Sequence, residues 1–357
     1  MYIADRTGNG DDKQVEKILL YQLHTEDLER TAGGLVNLVL KNCIRVTGHE
    51  ISAAKFTADG ITCEGKPVRV SDRMVPGQTL RVILPEKEDA QKIIPSEGPL
   101  CVLYEDEDLL AVNKPAGEVV HPCPGHFADT AANYAAWYLK NHGSDGSGSL
   151  RIAGRLDKET SGVLIFAKNR AAAARLQKQH QAGCFVRIYL AVCEGLFPPA
   201  ERTGTIDRPL EKVPGDLMKM RVAVQSVPAE ETGAGKSRVL RAVTHYQVLA
   251  EHAGCSLLRI TIDTGRTHQI RVHMASCGHP LVGDTLYGST APTSDHTRSM
   301  PIARICGDEL CEKAQRALLH AACVRLEQPF TGETLQICAP MPEDFPVCAD
   351  CLNPGEV

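Results

Sequence analysis

The sequence predicts an α+β fold, because it contains segments typical of buried strands as well as segments typical of helices. Residues 163–167 form a short apolar run bounded by Gly162 and Lys168, which is the pattern of a strand covered on both faces. Residues 185–192 carry apolar side chains at every second position, as a further strand would. Residues 169–181 contain four consecutive alanines, which favour a helix.

The composition is that of an ordinary globular chain, with 357 residues of which 43% are hydrophobic. This length suffices for two or three domains. No apolar run approaches the roughly 18 residues that a membrane span needs, and residues 1–6 lack the apolar centre of a signal peptide. The 14 cysteines are scattered along the chain, which predicts free thiols. We therefore expect a cytoplasmic monomer that does not associate with membranes.

The charge is unevenly distributed, although the net value is only −5. Residues 151–190 contain eight Lys or Arg and two acids, a local net charge of +6. Such a basic stretch suits a site that contacts phosphates. The alternative for Arg170, Arg175 and Lys178 is a solvated helix face.

The order of these patterns predicts a small amino-terminal module and a larger second domain. In the module, a helical pattern around residues 35–40 precedes a hairpin-like stretch at 60–70 and a strand that follows a Pro-Gly turn. Polar stretches at 143–149 and 215–235 predict loops. The predicted segments are 1–24 (a loose start and first strand), 25–88 (the module), 89–99 (a linker), 100–345 (the larger domain) and 346–357 (a tail).

The candidate for chemistry is Asp157, in a polar turn that leads directly into the predicted strand at 163–167. A carboxylate held in such a turn is placed as a nucleophile or general base would be. Aspartate is also common in turns and caps because its carboxylate accepts local backbone hydrogen bonds. The turn alone does not decide between these roles.

The turn resembles the signature Arg-Leu-Asp-x-x-Thr-Ser-Gly of the RluA family of pseudouridine synthases. The matching residues are Arg155, Leu156, Asp157, Thr160, Ser161 and Gly162. The family often has His before the Arg, whereas this chain has Gly154. The resemblance implies that Asp157 is a nucleophile acting on uridine in RNA, without a metal or a bound cofactor.

Further blocks of the same family follow the same order along the chain. A Lys-Pro-x-Gly loop begins at Lys114, and the family block Lys-x-Tyr-x-Ala occurs at residues 187–191 with Arg187 in the Lys position. The segments 264–288 and 317–326 match the remaining blocks. Together the blocks cover residues 100–345, which implies an α+β pseudouridine synthase fold with a mixed, mainly antiparallel sheet and flanking helices.

The resemblance also assigns roles to individual residues. Tyr189 stacks on the target base, and Arg271 pairs with Asp157 and fixes its direction. His268 and Arg271 are three residues apart on a helix predicted at 266–275, so they share one face. The residues expected to contact RNA or substrate are Arg155, Lys114, His121, Thr160, Arg187, Arg266, His268 and Leu319.

The module at 25–88 resembles a divergent S4 domain, an RNA-binding unit found ahead of such synthases. The match lies in the Gly-Lys-Pro-Val and Pro-Gly-Gln stretches. Residues 25–89 contain nine Lys or Arg and ten acids, so the charge of the module does not by itself predict RNA binding.

Several alternatives stay open at the level of sequence. The expected substrate is large-subunit ribosomal RNA, with transfer RNA as the alternative. An inactive RNA-binding or ribosome-assembly protein on the same fold would not need Asp157, Tyr189 and Arg271 together. A glycoside hydrolase would need a second acid in a comparable motif. The pair Cys348 and Cys351 is half of a zinc site, and the spacing to Cys306 and Cys311 is not a standard one, so we predict no metal.

Overall fold

The fold is that of a computed structural model of the chain. The predicted loop at 143–149, the cysteines at 306, 311, 348 and 351, and most of the polar stretch 215–235 lie outside the described residues. The structure describes residues 16–85, 93–142, 150–216, 218–223, 239–252, 254–288 and 314–345.

The amino-terminal module is an antiparallel sheet with short helices. Its elements are β1 (Glu16–Gln22), a 3₁₀ turn (Thr25–Asp27), α1 (Val36–Leu38), a π-helical turn (Val39–Cys43), α2 (Gly48–Lys55), β2 (Ile61–Cys63), β3 (Lys66–Pro67) and β4 (Thr79–Pro85). The strand order is β1, β4, β2, β3. Strand β1 is the first strand expected within residues 1–24, and its pairing with β4 joins it to the module.

The larger domain is built on one sheet. Its elements are β5 (Cys101–Glu105), β6 (Leu109–Lys114), α3 (Ala131–Asn141), β7 (Arg151–Ile152), β8 (Ser161–Ala167), α4 (Arg170–Gln181), β9 (Val186–Glu194), a 3₁₀ turn (Pro199–Glu201), β10 (Thr203–Asp207), β11 (Leu210–Lys212), β12 (Met220–Val222), β13 (Val243–His252), β14 (Cys255–Ile262), α5 (Gln269–Ser276), β15 (Leu319–Glu327) and β16 (Thr334–Cys338).

The main sheet has the strand order β10, β13, β14, β9, β15, β8, β6, β5, with β16 paired to β15 and β7 paired to β8. Strands β8 and β15 run parallel, and the other described pairs of this sheet are antiparallel. A Cβ atom on Gly162 would lie 2.2 Å from the carbonyl oxygen of Ala321, so the close approach of β8 to β15 requires glycine. The prediction of a mixed, mainly antiparallel sheet is confirmed.

The sheet is covered on both faces, as the run at 163–167 predicted. Every residue of β8 is buried. Val163 and Ile165 point into an apolar cluster that includes α4, whereas Leu164 and Phe166 point into the cluster around α3. Burial of side chains of this size contributes roughly 1.5–3 kcal/mol each, so β8 is a stable support for the turn that precedes it.

Strand β9 alternates as predicted, but its second face is also buried. Leu190 and Val192 pack in one cluster, and Tyr189 and Ala191 pack in another. Tyr189 is only 4% exposed. Packing in this cluster therefore holds the ring of Tyr189 in a fixed position.

Helix α5 begins later than the sequence predicted, at Gln269 instead of Arg266. The side chain of Gln269 accepts hydrogen bonds from the hydroxyl of Thr264 and the backbone N–H of Arg266, which holds the preceding residues in a turn. His268 is left-handed, with φ 54°, so it does not share a helix face with Arg271 and that prediction is wrong.

The prediction of free thiols is also wrong for three of the described cysteines, which are Cys255, Cys323 and Cys338. Cys323 and Cys338 lie opposite each other in the β15–β16 ladder, with Cα atoms 4.1 Å apart, and form a disulfide. The pairing of Cys323 with Cys338 was not predictable, because it depends on strand register. No helix among the described residues is long and apolar enough to cross a membrane.

Candidate active site

Asp157 lies in the turn between β7 and β8, at the wall of a cavity of about 270 Å³. It is half-buried, and its backbone carbonyl accepts a hydrogen bond from the N–H of Thr160 at 3.1 Å. Most of the predicted residues meet at this cavity. Those that line it are Arg155, Asp157, Thr160, Arg187, Tyr189, Arg266, His121 and Leu319.

The buried ammonium of Lys114 fixes the chain on the far side of Asp157. Its Nζ donates to the carbonyls of Pro115 at 2.6 Å, Glu118 at 2.9 Å and Lys158 at 3.1 Å. Burial lowers the pKa of Lys114 to about 8. All three of its donors are engaged. Lys114 therefore positions the turn, and its expected contact with substrate stays a prediction.

Arg316 holds the same turn from the other side. Its Nη1 donates to the carbonyls of Glu159, Ala317 and Leu319, each at 3.1 Å. The other donors of the group reach the carboxylate of Asp344 at 2.6 and 2.8 Å. Sequence reasoning missed Arg316, and the available signal was its position directly before the family block at 317–326. The backbone around Asp157 is thus fixed from two directions.

The carboxylate of Asp157 accepts no hydrogen bond and forms no ion pair within the part of the chain that the structure describes. Arg155 and Arg266 are exposed and line the same cavity. A positioned but unpaired carboxylate beside two exposed cations is available to a substrate.

Arg271 does not contact Asp157, so the predicted ion pair is wrong. The guanidinium binds Asp284 in a two-point contact, with both N–O distances at 2.7 Å. Asp284 also accepts hydrogen bonds from the backbone N–H groups of Leu286 and Tyr287. Its side chain is fully buried, and a carboxylate in such a place requires a cation. Asp284 therefore binds the guanidinium that the family resemblance paired with Asp157.

The negative charge of Asp157 nevertheless affects the pKa of Arg271. Burial disfavours the guanidinium charge, but the bonds and charge of Asp284, helped by Asp157, hold the pKa of Arg271 above its ordinary value. Arg271 and Asp284 form a neutral pair behind the cavity wall, and this pair supports α5 without touching the cavity.

His268 also lies behind the wall and not in it. Its Nδ1 is 2.9 Å from the hydroxyl of Tyr287, and the two rings meet edge to face. The ring is buried, and burial lowers its pKa. His268 is not among the residues that line the cavity, and its expected RNA contact stays a prediction.

Tyr189 and Arg187 stand next to each other on the cavity wall. Burial raises the pKa of Tyr189, Arg187 counteracts this effect, and Asp157 adds to it. The hydroxyl is therefore neutral near pH 7. A neutral, buried phenol close to a carboxylate can offer a ring face to a base and a proton to an acceptor.

No group of three His, Cys, Asp or Glu side chains suited to a metal ion occurs among the described residues. The groups that line the cavity include a carboxylate, a phenol, an imidazole and guanidinium groups.

Known proteins resemble this chain over most of its length. A family model described as RNA pseudouridylate synthase matches residues 108–276. An uncharacterized RNA pseudouridine synthase of Synechocystis is 36% identical, over 83% of this chain and 80% of the relative. A ribosomal large subunit pseudouridine synthase D of Neisseria meningitidis is 33% identical, over 88% of this chain and 77% of the relative.

A solved structure leads to the same result. Human RNA pseudouridylate synthase domain containing 4 aligns with a TM-score of 0.50 and 25% identity, over 68% of this chain and 89% of that one. The sequence relatives cover more than three quarters of each partner at over 30% identity. The chain belongs to the RluA family of RNA pseudouridine synthases.

Proposed function

We propose that the protein converts uridine to pseudouridine in large-subunit ribosomal RNA, with Asp157 as the nucleophile or base. The choice of ribosomal RNA is supported by relatives named ribosomal large subunit pseudouridine synthase D, among them those of Neisseria meningitidis and Pseudomonas aeruginosa. Transfer RNA is the alternative substrate.

The observation that carries the role of Asp157 is the contrast between its fixed backbone and its unpaired carboxylate. Lys114 and Arg316 bind the carbonyls of the two residues that follow it. The carboxylate oxygens of a structural aspartate in a turn would accept hydrogen bonds from nearby backbone N–H groups. This one accepts none from the described residues and lines the cavity.

The reaction is an isomerisation, so no atom is gained or lost. The bond from N1 of uracil to C1′ of the ribose breaks, and the base keeps the electron pair. Asp157 acts at the sugar, the uracil turns within the cavity, and C5 then bonds to C1′. The proton on C5 leaves, and N1 takes up a proton. Tyr189 faces the base and exchanges the proton at C5 in this proposal.

A uridine inside a stacked helix cannot reach Asp157, so the base must flip out of its strand. The cavity of about 270 Å³ suits a single base and not a duplex. Arg155 and Arg266 are exposed at this cavity and bind the phosphates on either side of the flipped nucleotide. We further propose that the amino-terminal module is an S4-like domain that adds to the grip on RNA.

The test compares Asp157→Asn with Glu159→Gln on an unmodified transcript of large-subunit ribosomal RNA and on unmodified transfer RNA. Asparagine keeps the shape of aspartate and removes its charge. We expect Asp157→Asn to bind RNA and form no pseudouridine, because the nucleophile is lost. Glu159→Gln removes a charge from the same turn and should stay active. Comparable amounts of pseudouridine from both variants would contradict the role of Asp157. Pseudouridine in transfer RNA alone would mean that transfer RNA, and not ribosomal RNA, is the substrate.

A further inference from the structure

A second cavity of about 850 Å³ adjoins the catalytic one. It lies between α4 and the segment 263–266, and it shares Gly265 and Arg266 with the catalytic cavity. We call it the flanking groove. We propose that the flanking groove binds the nucleotide next to the target uridine in the same RNA strand, and that Arg187 binds the phosphodiester between the two nucleotides. This proposal rests on the proposed function.

The guanidinium of Arg187 forms the partition between the two cavities. It lies against the backbone of two glycines that line the flanking groove. A Cβ atom on Gly154 would be 3.1 Å from Nη1 of Arg187, and one on Gly265 would be 2.8 Å from Nη2. Gly154 is also left-handed, with φ +90°. Glycine at both positions leaves the space that the guanidinium occupies.

Gly154 and Arg187 are therefore in contact with each other. The planar guanidinium fits because the side chain at position 154 is missing. A planar group with two parallel donors is better suited to a phosphodiester than an ammonium is.

The charge of Arg187 has no anionic partner among the residues that the structure describes. It is 6% exposed, and no carboxylate among the described residues lies within salt-bridge distance. Its Nη2 is 3.0 Å from Nε2 of His180. A buried cation without an anion is unfavourable unless a ligand supplies the charge. The backbone phosphate of RNA is the anion that a strand crossing this partition would bring.

The flanking groove has the charge that an RNA strand requires. Arg151, Arg170 and Arg266 line it beside one acid, Asp263, and the first two also interact elsewhere in the protein. Burial and the charge of Arg187 lower the pKa of His180, so His180 adds no positive charge near pH 7. Asp263 lies 3.1 Å from Nε2 of His245. Because Arg266 belongs to both cavities, positive charge is continuous from the flanking groove to the flipped base.

The test fills the flanking groove without touching catalytic residues. Ala174 is an exposed groove residue of α4, and Lys178 is exposed on the same helix but outside the groove. We expect Ala174→Trp to raise the RNA concentration for half-maximal rate, and the dissociation constant for RNA, by about tenfold. Lys178→Trp adds the same ring and also removes a charge. If α4 were merely a solvated basic face, Lys178→Trp would be the more damaging change.

A second arm uses the ribosomal transcript after the wild-type enzyme has shown which uridine it modifies. We expect an abasic nucleotide on one side of that uridine to weaken wild-type binding, and Ala174→Trp to add little further loss on that RNA, because both changes remove one contact. If Ala174→Trp and wild type have the same dissociation constant for RNA and both form pseudouridine, the flanking groove does not bind the neighbouring nucleotide. The proposed function would then remain intact. If wild type makes no pseudouridine, the proposed function fails. Comparing the RNA affinities of the two Trp variants still shows whether the flanking groove binds RNA. Absence of RNA binding by wild type would overturn both.

Discussion

At the scale of single residues, the wall of the catalytic cavity depends on the fit between Arg187 and the glycines that face it. Gly154 is the position to test, because a Cβ atom there would lie 3.1 Å from Nη1 of Arg187 and press on it. Lysine has no atom equivalent to Nη1. The two positions should therefore be energetically coupled.

We expect Gly154→Ala to lower kcat/KM by about tenfold in the wild-type background and by about threefold in an Arg187→Lys background. The strain of a left-handed alanine is the same in both backgrounds, so it cancels in the cycle. The measurement is kcat/KM of the four proteins on the ribosomal transcript. Equal losses in both backgrounds would mean that position 154 acts through its backbone alone.

Residues within one continuous motif were predictable from the sequence. Asp157, Arg155 and Thr160 are neighbours in the turn, so their common location follows from the chain itself. Partners that meet only through the tertiary fold were not predictable. Arg316 binds a carbonyl more than 150 residues away, and Arg271 binds Asp284 because that carboxylate is the more deeply buried one.

At the scale of elements, the parallel pair β8 and β15 joins the catalytic turn to the last part of the domain. Residue Ser161, at the start of β8, lies opposite His320 of β15, and its hydroxyl is 3.0 Å from Nδ1 of that histidine. The strands were predictable because a run buried on both faces has a clear apolar pattern. Their parallel pairing was not, since it depends on a contact between distant segments.

The buried imidazole of His320 gives this strand pair a pH dependence. Burial lowers its pKa to about 4, with Arg316 adding to the effect and Asp344 opposing it. The unfolded chain takes up the proton near pH 6.5, before the folded one does. Stability is therefore full above about pH 6.5 and is lost as the pH falls toward 4.

We expect this histidine to remove roughly 1 kcal/mol from the free energy of unfolding between pH 7.5 and 5.5. His320→Gln cannot take up a proton, so its free energy of unfolding should change less over the same interval, even if it is lower at pH 7.5. Urea unfolding of both proteins at the two pH values measures the difference. Parallel decreases would show that other groups cause the loss.

At the scale of the whole molecule, the amino-terminal module packs directly on the catalytic domain. Arg175 of α4 binds the carboxylate of Glu50 at 2.6 Å and the carbonyl of Arg45 at 3.0 Å. Lys17 of β1 binds Asp108, and its ammonium lies 3.9 Å from the ring centre of Phe330. One apolar cluster contains residues of both parts. The sequence predicted two segments and a linker, but not this shared core, because the contacts join residues far apart in the chain.

The shared core predicts that both parts unfold together, and Arg175 tests this because its side chain is only 7% exposed. Glu50→Gln keeps an oxygen for the backbone N–H of Thr47, which Glu50 caps, but leaves the guanidinium without a carboxylate. We expect a loss of about 2 kcal/mol in the free energy of unfolding. In an Arg175→Met background the same change should cost little, because no buried charge is left unpaired.

Two probes report the two parts in the same urea titration. Trp137, the single tryptophan, lies in α3 of the catalytic domain, whereas circular dichroism reports both parts. Coincident transitions in all four proteins, with Glu50→Gln alone shifted strongly to lower urea, are the expected result. A circular dichroism transition that precedes the change at Trp137 would mean that the module unfolds by itself. Equal costs of Glu50→Gln in both backgrounds would mean that the ion pair does not join the two parts.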